Sequence, residues 1–287
     1  MITKDAPDVA TIKKQADYKD SMTIMLSSDW HFDSAVCDRE MLTQHLKMAE
    51  EKNAVVCVFG DMLDVMQGRY DPRRSPEELK DEYKTDSYFD AVVADAAKFL
   101  SQFDLEYILC SGNHEESVLK HNGINLLSNV SYRLRYEYQK KAICLGYSGY
   151  IPLVFRYKKG SAMASKLLYF QHGSSTSAKV TRGVIWTNRQ GVWMDAPDYV
   201  VNGHLHTAYS MPIPVERFVM KSKRKERGSR HFFRTPGYKN SITDGGHAGY
   251  YESSKHREPS NKGCYFLTLL YSHTDDTIEK EILDRTI

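Results

Sequence analysis

The sequence predicts an α/β fold, a two-sheet β-sandwich flanked by helices in four layers (αββα), and three observations predict it. Five short runs, SMTIMLSSDWH, NAVVCVFGDMLD, LEYILCSGNHEE, KLLYFQHGSS and PDYVVNGHLHT, are rich in Val, Ile, Leu, Tyr and Phe and stop at a polar or glycine cluster. They are too short for typical helices and read as buried strands. Segments of helical periodicity separate the first three, as in βαβ crossovers. The later chain carries strand-like runs without helices between them, which predicts a second, more antiparallel sheet.

Taken in order, the opening MITKDAPDVATIKKQADYKD is polar and has no apolar signal core. It reads as a loose or helical extension, residues 1–21, outside the main fold. After the first strand, DREMLTQHLKMAEEKN places Met41, Leu42, His45, Leu46 and Met48 at helical spacing. After the second, DSYFDAVVADAAKFLSQF does the same with Phe89, Val92, Val93, Ala96, Ala97 and Leu100. KAICLGYSGYIPLVFRYKKGS reads as paired strands leading into the fourth run, and GCYFLTLLYSHTDDTIEKEIL as a closing strand pair. No repeat or low-complexity linker interrupts this, so residues 22–287 read as one domain with inserts near 66–88 and 216–262.

The chain has 287 residues, 41% hydrophobic and 26% charged, with a net charge of +2. That composition is ordinary for a globular protein and does not mark the whole molecule as a polyanion binder, so any nucleic-acid argument rests on a local patch. The cysteines, Cys37, Cys57, Cys110, Cys144 and Cys264, are odd in number and form no CxxC pair. They read as buried thiols in a reducing compartment. No apolar stretch approaches the roughly 18 to 20 residues that span a bilayer. A cytoplasmic protein with no membrane partner is expected.

In open α/β sheets, ligands bind outside the carboxyl ends of the strands. Here those ends supply Asp29 and His31, Asp61, Asn113 and His114, His172, and His204 and His206. Carboxylate, amide and imidazole groups are the donor set for borderline or hard divalent metals. Each element alone is weak, since Gly-Asp is a common turn and Asn a common helix cap. Their recurrence at five converging strand ends is what points to a metal site.

The ordered set D-W-H, G-D-M-L-D, G-N-H-E, Q-H-G and G-H-L-H, from Asp29 to His206, resembles the calcineurin-like metallophosphoesterase superfamily. The resemblance implies one metal held by Asp29, His31, Asp61 and His206, and a second held by Asp61, Asn113, His172 and His204, with Asp61 bridging. A carboxylate suits that bridge, and residues two apart, such as His204 and His206, share a face on an extended strand end. His114 would be the general acid, Glu115 would orient it, and Asp64 would support a ligand or cap the next segment. Two divalent ions are implied, Mn first, with Fe, Zn, Co or Ni as alternatives. The implied chemistry is attack on phosphorus by a metal-bridging hydroxide. Two divalent ions less two carboxylates and one hydroxide leave about one positive charge, which suits a phosphodiester monoanion.

Three functions compete: a nuclease or phosphodiesterase acting on nucleic acid or nucleotides, a protein Ser/Thr phosphatase, and a non-catalytic scaffold. The scaffold reading is disfavoured because every ligand position holds a competent residue. Ser/Thr phosphatases of this superfamily carry Gly after the D-x-H histidine and an Arg after the second Asp of G-D-x-x-D; this chain has Phe32 and Val65. The nucleic-acid reading draws on the inserts. QGRYDPRRSPEELKDEYKTD offers Arg69, Tyr70, Arg73 and Arg74 for phosphate contact and stacking. KSKRKERGSRHFFRTPGYK interleaves Lys221, Lys223, Arg224, Lys225, Arg227, Arg230, Arg234 and Lys239 with Phe232, Phe233 and Tyr238, as a single-strand groove would. GDMLDVMQGRYDPR with RTPGYK also resembles phage and bacterial metallophosphoesterases, which would place a phage-encoded chain in the host cytoplasm.

Overall fold

A computed structural model describes residues 1–16, 20–66, 79–156, 164–173, 184–194, 197–220, 223–240, 261–272 and 277–286. Two sheets face each other. The six-stranded sheet is built on a parallel core: β3 (Ser21–Ser27), β4 (Val55–Phe59), β5 (Glu106–Cys110) and β6 (Ala142–Leu145). Two antiparallel strands extend it beyond β3, β12 (Cys264–Ser272) and then β13 (Thr277–Thr286). Crossover helices run between the parallel strands: α1 (Arg39–Glu51), α2 (Tyr88–Ser101), then α3 (Asn113–Asn122) and α4 (Leu126–Tyr136). Asp38 starts α1 by accepting the Met41 N–H at 3.0 Å, and Asn125 does the same for Ser128 before α4 at 2.9 Å.

β4 shows why its run is apolar throughout. Val55, Cys57 and Phe59 point into the sandwich, while Val56 and Val58 point at the helices, so both faces are buried. The inter-sheet core joins Ile24, Leu26, Cys57, Phe59, Ile108 and Cys110 to Ile151, Leu153, Leu168, Phe170, Val201 and Phe233. Truncating one such residue to Ala would cost about 2–5 kcal/mol. The five cysteines are free thiols, four of them buried.

The seven-stranded sheet mixes parallel and antiparallel pairs and holds β7 (Ser148–Arg156), β8 (Ser165–Gln171) and β9 (Tyr199–Asn202) at its centre. Its outer end is the hairpin of β10 (Tyr209–Val219) and β11 (Arg224–Arg234), and β11 runs parallel to β9. The helix α5 (Val184–Trp193) lies over this end, packing Met194 against Tyr169, Val200 and Phe232.

Three expectations need correction. Residues 1–21 are not a loose extension. β1 (Ile2–Ala6) and β2 (Val9–Gln15) complete the seven-stranded sheet, with β2 parallel to β7. Ile2, Ala10, Ile12 and Ala16 are buried in the inter-sheet core, so four apolar residues of a polar segment share one face. β6 does not pair with β7. It continues the parallel ladder beside β5, with Tyr107 opposite Ala142, and the chain changes sheets across Gly146 and Tyr147.

The basic and aromatic run after residue 220 does not form one groove. Phe232, Phe233, Arg234, Tyr238 and Lys239 are buried, as is Arg230, which donates to Met194 O at 2.8 Å and Gly191 O at 3.2 Å at the end of α5. Only Lys223, Arg224, Lys225 and Arg227 remain on the surface of the hairpin. Arg69, Tyr70, Arg73, Arg74 and Lys221 lie outside the described residues.

Candidate metal centre

The polar residues after β3, β4, β5, β8 and β9 converge at one end of the sandwich. The backbone there is unusual. Asp29, His31, Asp61, His204 and His206 all have positive φ, between +46° and +72°. Asp and His are among the residue types that tolerate this region best, and the left-handed turn aims each side chain inward as its strand stops. Holding five such residues together stores strain at a functional site.

Two glycines permit the close approach. A Cβ on Gly60, itself at φ +94°, would lie 2.2 Å from His172 Nδ1. One on Gly112 would lie 2.1 Å from Asp61 Oδ1.

Each candidate carboxylate spends one oxygen on the scaffold and presents the other. Asp29 Oδ2 accepts the His204 N–H at 2.9 Å and the Ser28 hydroxyl; Oδ1 is buried, accepts no hydrogen bond among the described residues, and lies 3.3 Å from His206 Nε2. Asp61 Oδ1 accepts the His114 N–H at 3.0 Å, while Oδ2 lies 3.1 Å from His172 Nε2. His31 Nε2 and His206 Nε2 face each other at 3.2 Å. Asn113 Oδ1 lies 3.1 Å from His172 Nε2, and Asp29 Oδ1 lies 4.0 Å from the same nitrogen.

Ligand atoms thus gather in three adjoining groups among the described residues, Asp29 with His31 and His206, Asp61 with His172 and His204, and His31 with Asp64 and His114. An orphaned buried carboxylate oxygen and two imidazole nitrogens turned on each other fit cations, since both are otherwise costly. All seven predicted ligand residues stand here.

The clustered groups also shift one another's charge states. Burial pushes the Asp29 carboxyl up, but His206 and His172 outweigh it and leave it at about 2. Burial pulls the His172 imidazole down, but Asp61 and Asp29 override it and lift it to about 10. The His172 Nδ1–H donates to Phe59 O at 2.8 Å, which fixes the ring so that Nε2 faces the cluster. Burial also pulls His31 down, to about 4, against the opposing pull of Asp64.

Asp64 stands behind the ligands. Its Oδ1 is 2.8 Å from His31 Nδ1 and 3.4 Å from Lys239 Nζ, and its carbonyl accepts the His114 Nδ1–H at 2.6 Å. That contact turns His114 Nε2 toward the cluster, 3.7 Å from Asp61 Oδ2. Glu115 is placed otherwise than expected. It does not orient His114; its carboxylate accepts the Gly112, Leu63 and Asp61 N–H groups at 2.9, 2.9 and 3.2 Å. It therefore ties the start of α3 to the Asp61 turn. Burial first, then Asp61, raises its carboxyl to about 7.

Two supporting residues escaped the sequence reading. Asp33 is buried and accepts the Asp64 N–H at 2.6 Å, the Val65 N–H at 3.0 Å and the Tyr88 hydroxyl at 2.6 Å. It holds Val65 at φ +41°, an outlier for a β-branched residue. A second carboxylate two residues after His31 was the available signal. Lys239, read as a surface cation, is the buried partner of Asp64.

No curated protein matches the chain. Among solved structures it is similar to GAP50, the anchor in the inner membrane complex of Plasmodium, with TM-score 0.37 and 11% identity over 91% of this chain and 88% of that one. It is also similar to a conserved uncharacterized protein of Streptococcus pneumoniae TIGR4, a predicted phosphoesterase, with TM-score 0.30 and 11% identity over 92% and 99%. No helix among the described residues is long and apolar enough to cross a membrane. The family model for calcineurin-like phosphoesterases matches residues 22–208, a span that begins within β3 and ends two residues past His206. The chain belongs to the calcineurin-like phosphoesterase family.

Proposed function

We propose that the protein is a dinuclear-metal phosphodiesterase that cleaves phosphodiester bonds of nucleic acid or nucleotides. Asp29, His31, Asp61 and His206 would hold one divalent ion, and Asp61, Asn113, His172 and His204 the other. Bound there, the ions supply Lewis acidity and lower the pKa of a coordinated water toward neutrality. Mn²⁺ is the ion proposed first.

The protein's own part is positional. Asp61, with one oxygen fixed by the His114 N–H, offers the other to the shared position. His172 is held in its ligating tautomer by Phe59 O, and His31 has its Nδ1 2.8 Å from the Asp64 carboxylate. His114, its Nδ1–H donating to Asp64 O, directs Nε2 at the reacting group and there hydrogen-bonds, then protonates, the leaving oxygen.

The observation that carries the diester reading is Val65. It is buried and tied to Asp33 where the Ser/Thr phosphatases of this superfamily place a phosphate-gripping arginine. Phe32, fully buried under Arg39, likewise replaces their glycine. A site with about one net positive charge and no arginine at that place suits a monoanionic diester. The exposed Lys223, Arg224, Lys225 and Arg227 add a local patch for a polyanion. The test compares Mn²⁺-dependent turnover of bis-p-nitrophenyl phosphate, p-nitrophenyl phosphate, single- and double-stranded DNA, RNA and cyclic nucleotides. Faster monoester than diester turnover would favour the phosphatase reading instead.

A further inference from the structure

The hairpin of β10 and β11 closes the seven-stranded sheet, yet only its inner half belongs to that sheet. β11 pairs with β9 from His231 to Arg234. Further out, Pro214–Val219 and Arg224–Ser229 pair only with each other among the described residues. Glu216, Arg217 and Phe218 are exposed there, as are residues 224–229. A two-stranded ribbon standing in water is marginally stable by itself.

This outer half is strongly basic. Residues 214–229 hold six Lys or Arg against two Glu. The register divides them between the two faces of the ribbon. Glu216 opposite Arg227 and Phe218 opposite Lys225 make one face; Arg217 opposite Glu226 and Val219 opposite Arg224 make the other. Cations therefore stand on both faces. Lys225 meets Glu216 at 3.0 Å in an exposed pair, which is weak enough to exchange for a phosphate. Arg217 leans on Asp198 at 3.8 Å.

The edge itself is blocked. Pro212 and Pro214 stand opposite His231 and Ser229. A proline has no N–H, so in an antiparallel ladder it fits only where that N–H would point away from the partner strand. Two outward donors of β10 are thus missing, which makes the edge a poor template for another strand. A partner meets the ribbon through its side chains.

The ribbon is rooted at the metal centre. Tyr209 follows His206 by three residues, and Gly237, just past β11, lies so close that a Cβ on it would be 3.1 Å from the Asp29 Cβ. Arg217 is eight residues further along β10 than Tyr209, about 27 Å of extended strand. At 3.4 Å per base pair that is about eight base pairs of duplex.

We propose that this ribbon lies in the major groove of double-stranded DNA, about eight base pairs from the phosphodiester at the metal centre. The inference rests on the phosphodiester reading and names its substrate. The major groove of B-form DNA admits a two-stranded ribbon and has a phosphate wall on either side, which cations on both faces can meet. A bilayer surface calls for cations on one face, and the major groove of A-form RNA is too narrow to enter.

The test joins Lys223→Gln, Arg224→Gln, Lys225→Gln and Arg227→Gln in one variant, with circular dichroism as the check on its fold. Anisotropy of a labelled DNA hairpin with a stem of about 24 base pairs, in EDTA, reads binding without cleavage. The variant should bind at least ten-fold more weakly, and its slope of log Kd against log salt should be smaller by about three. Arg224→Gln and Arg227→Gln, one from each face, should each lower the slope by about one. With Mn²⁺, kcat/KM of the unsubstituted protein should be at least ten-fold higher for that stem than for one of about six base pairs, and the variant should lose most of the difference.

Unchanged DNA affinity and salt slope would overturn the proposal, whatever the turnover of bis-p-nitrophenyl phosphate. So would a loss from one face only, or an equal loss on double-stranded RNA of the same length. Loss of binding to phosphatidylserine vesicles with DNA binding intact would make the ribbon a membrane contact instead. DNA binding through the ribbon with no diester turnover would keep the groove contact and overturn the phosphodiesterase.

Discussion

Asp61 Oδ2 lies 3.1 Å from His172 Nε2 while its other oxygen is locked to the His114 N–H. One oxygen holds the loop and the other would serve the proposed ions, so the two tasks are separable by substitution. Asp61→Asn keeps an oxygen able to accept the His114 N–H but removes the anion. It should abolish turnover and metal binding together without unfolding the chain. Calorimetric metal titration and circular dichroism check this; full metal occupancy in the variant would remove Asp61 from its proposed place.

Gly60 has no room for a side chain, since a Cβ would sit 2.2 Å from His172 Nδ1 and 2.9 Å from Gly112 Cα at φ +94°. Gly60→Ala should displace His172 and weaken metal binding far more than an alanine on an open surface. Metal affinity of the purified variant is the measurement, and wild-type affinity would mean that the close packing at His172 is not needed.

His114 is not among the proposed ligands and has Nε2 3.7 Å from Asp61 Oδ2. His114→Ala should keep its metal and lose turnover by on the order of 10²- to 10⁴-fold. The loss should be largest for poor leaving groups and small for p-nitrophenolate, which needs little protonation. Equal losses on both would argue against a proton donor.

Asp33 satisfies two backbone N–H groups and the Tyr88 hydroxyl inside the fold. Asp33→Ala leaves several buried donors without an acceptor, at about 1–3 kcal/mol each. Thermal unfolding should report a loss of about 3 kcal/mol or more. Tyr88→Phe removes only one hydroxyl and should cost about 1 kcal/mol. Similar small losses in both variants would show that the clamp matters little.

The folded His172 is lifted from 6.5 to about 10, Asp61 outweighing the effect of burial. In metal-free protein the stabilisation from this pair is fully present below pH 6.5 and lost as pH rises through about 10. A metal taking Nε2 must displace that proton. Metal binding at pH 7 to 8 should release a proton, and affinity should rise with pH. Titrations in two buffers of different ionisation enthalpy measure the release; none would mean that His172 is neutral before the metal arrives.

The centre was legible because its chemistry is written as residue types at strand ends. Asp29, His31, Asp61, Asn113, His172, His204 and His206 all meet there, and the strands before them are apolar enough to be read alone. What was not legible depends on burial. β2 buries only Ala10 and Ile12 of its apolar residues, so its place in the sheet came from the apolar β7 beside it. Arg234 and Lys239 read as surface cations because charge patterning carries no record of a buried partner such as Asp64 or Tyr209. Glu115 is adjacent to His114 in sequence, yet a helix points neighbouring side chains in different directions, and its carboxylate turned to the backbone of the Asp61 loop.

The most direct measurement is turnover of bis-p-nitrophenyl phosphate and p-nitrophenyl phosphate by the same preparation, with Mn²⁺ and with EDTA, beside Asp61→Asn. The account predicts diester hydrolysis well above monoester hydrolysis, dependent on the metal and absent from the variant. Diester hydrolysis that survives EDTA or Asp61→Asn, or a monoester preference, would contradict it.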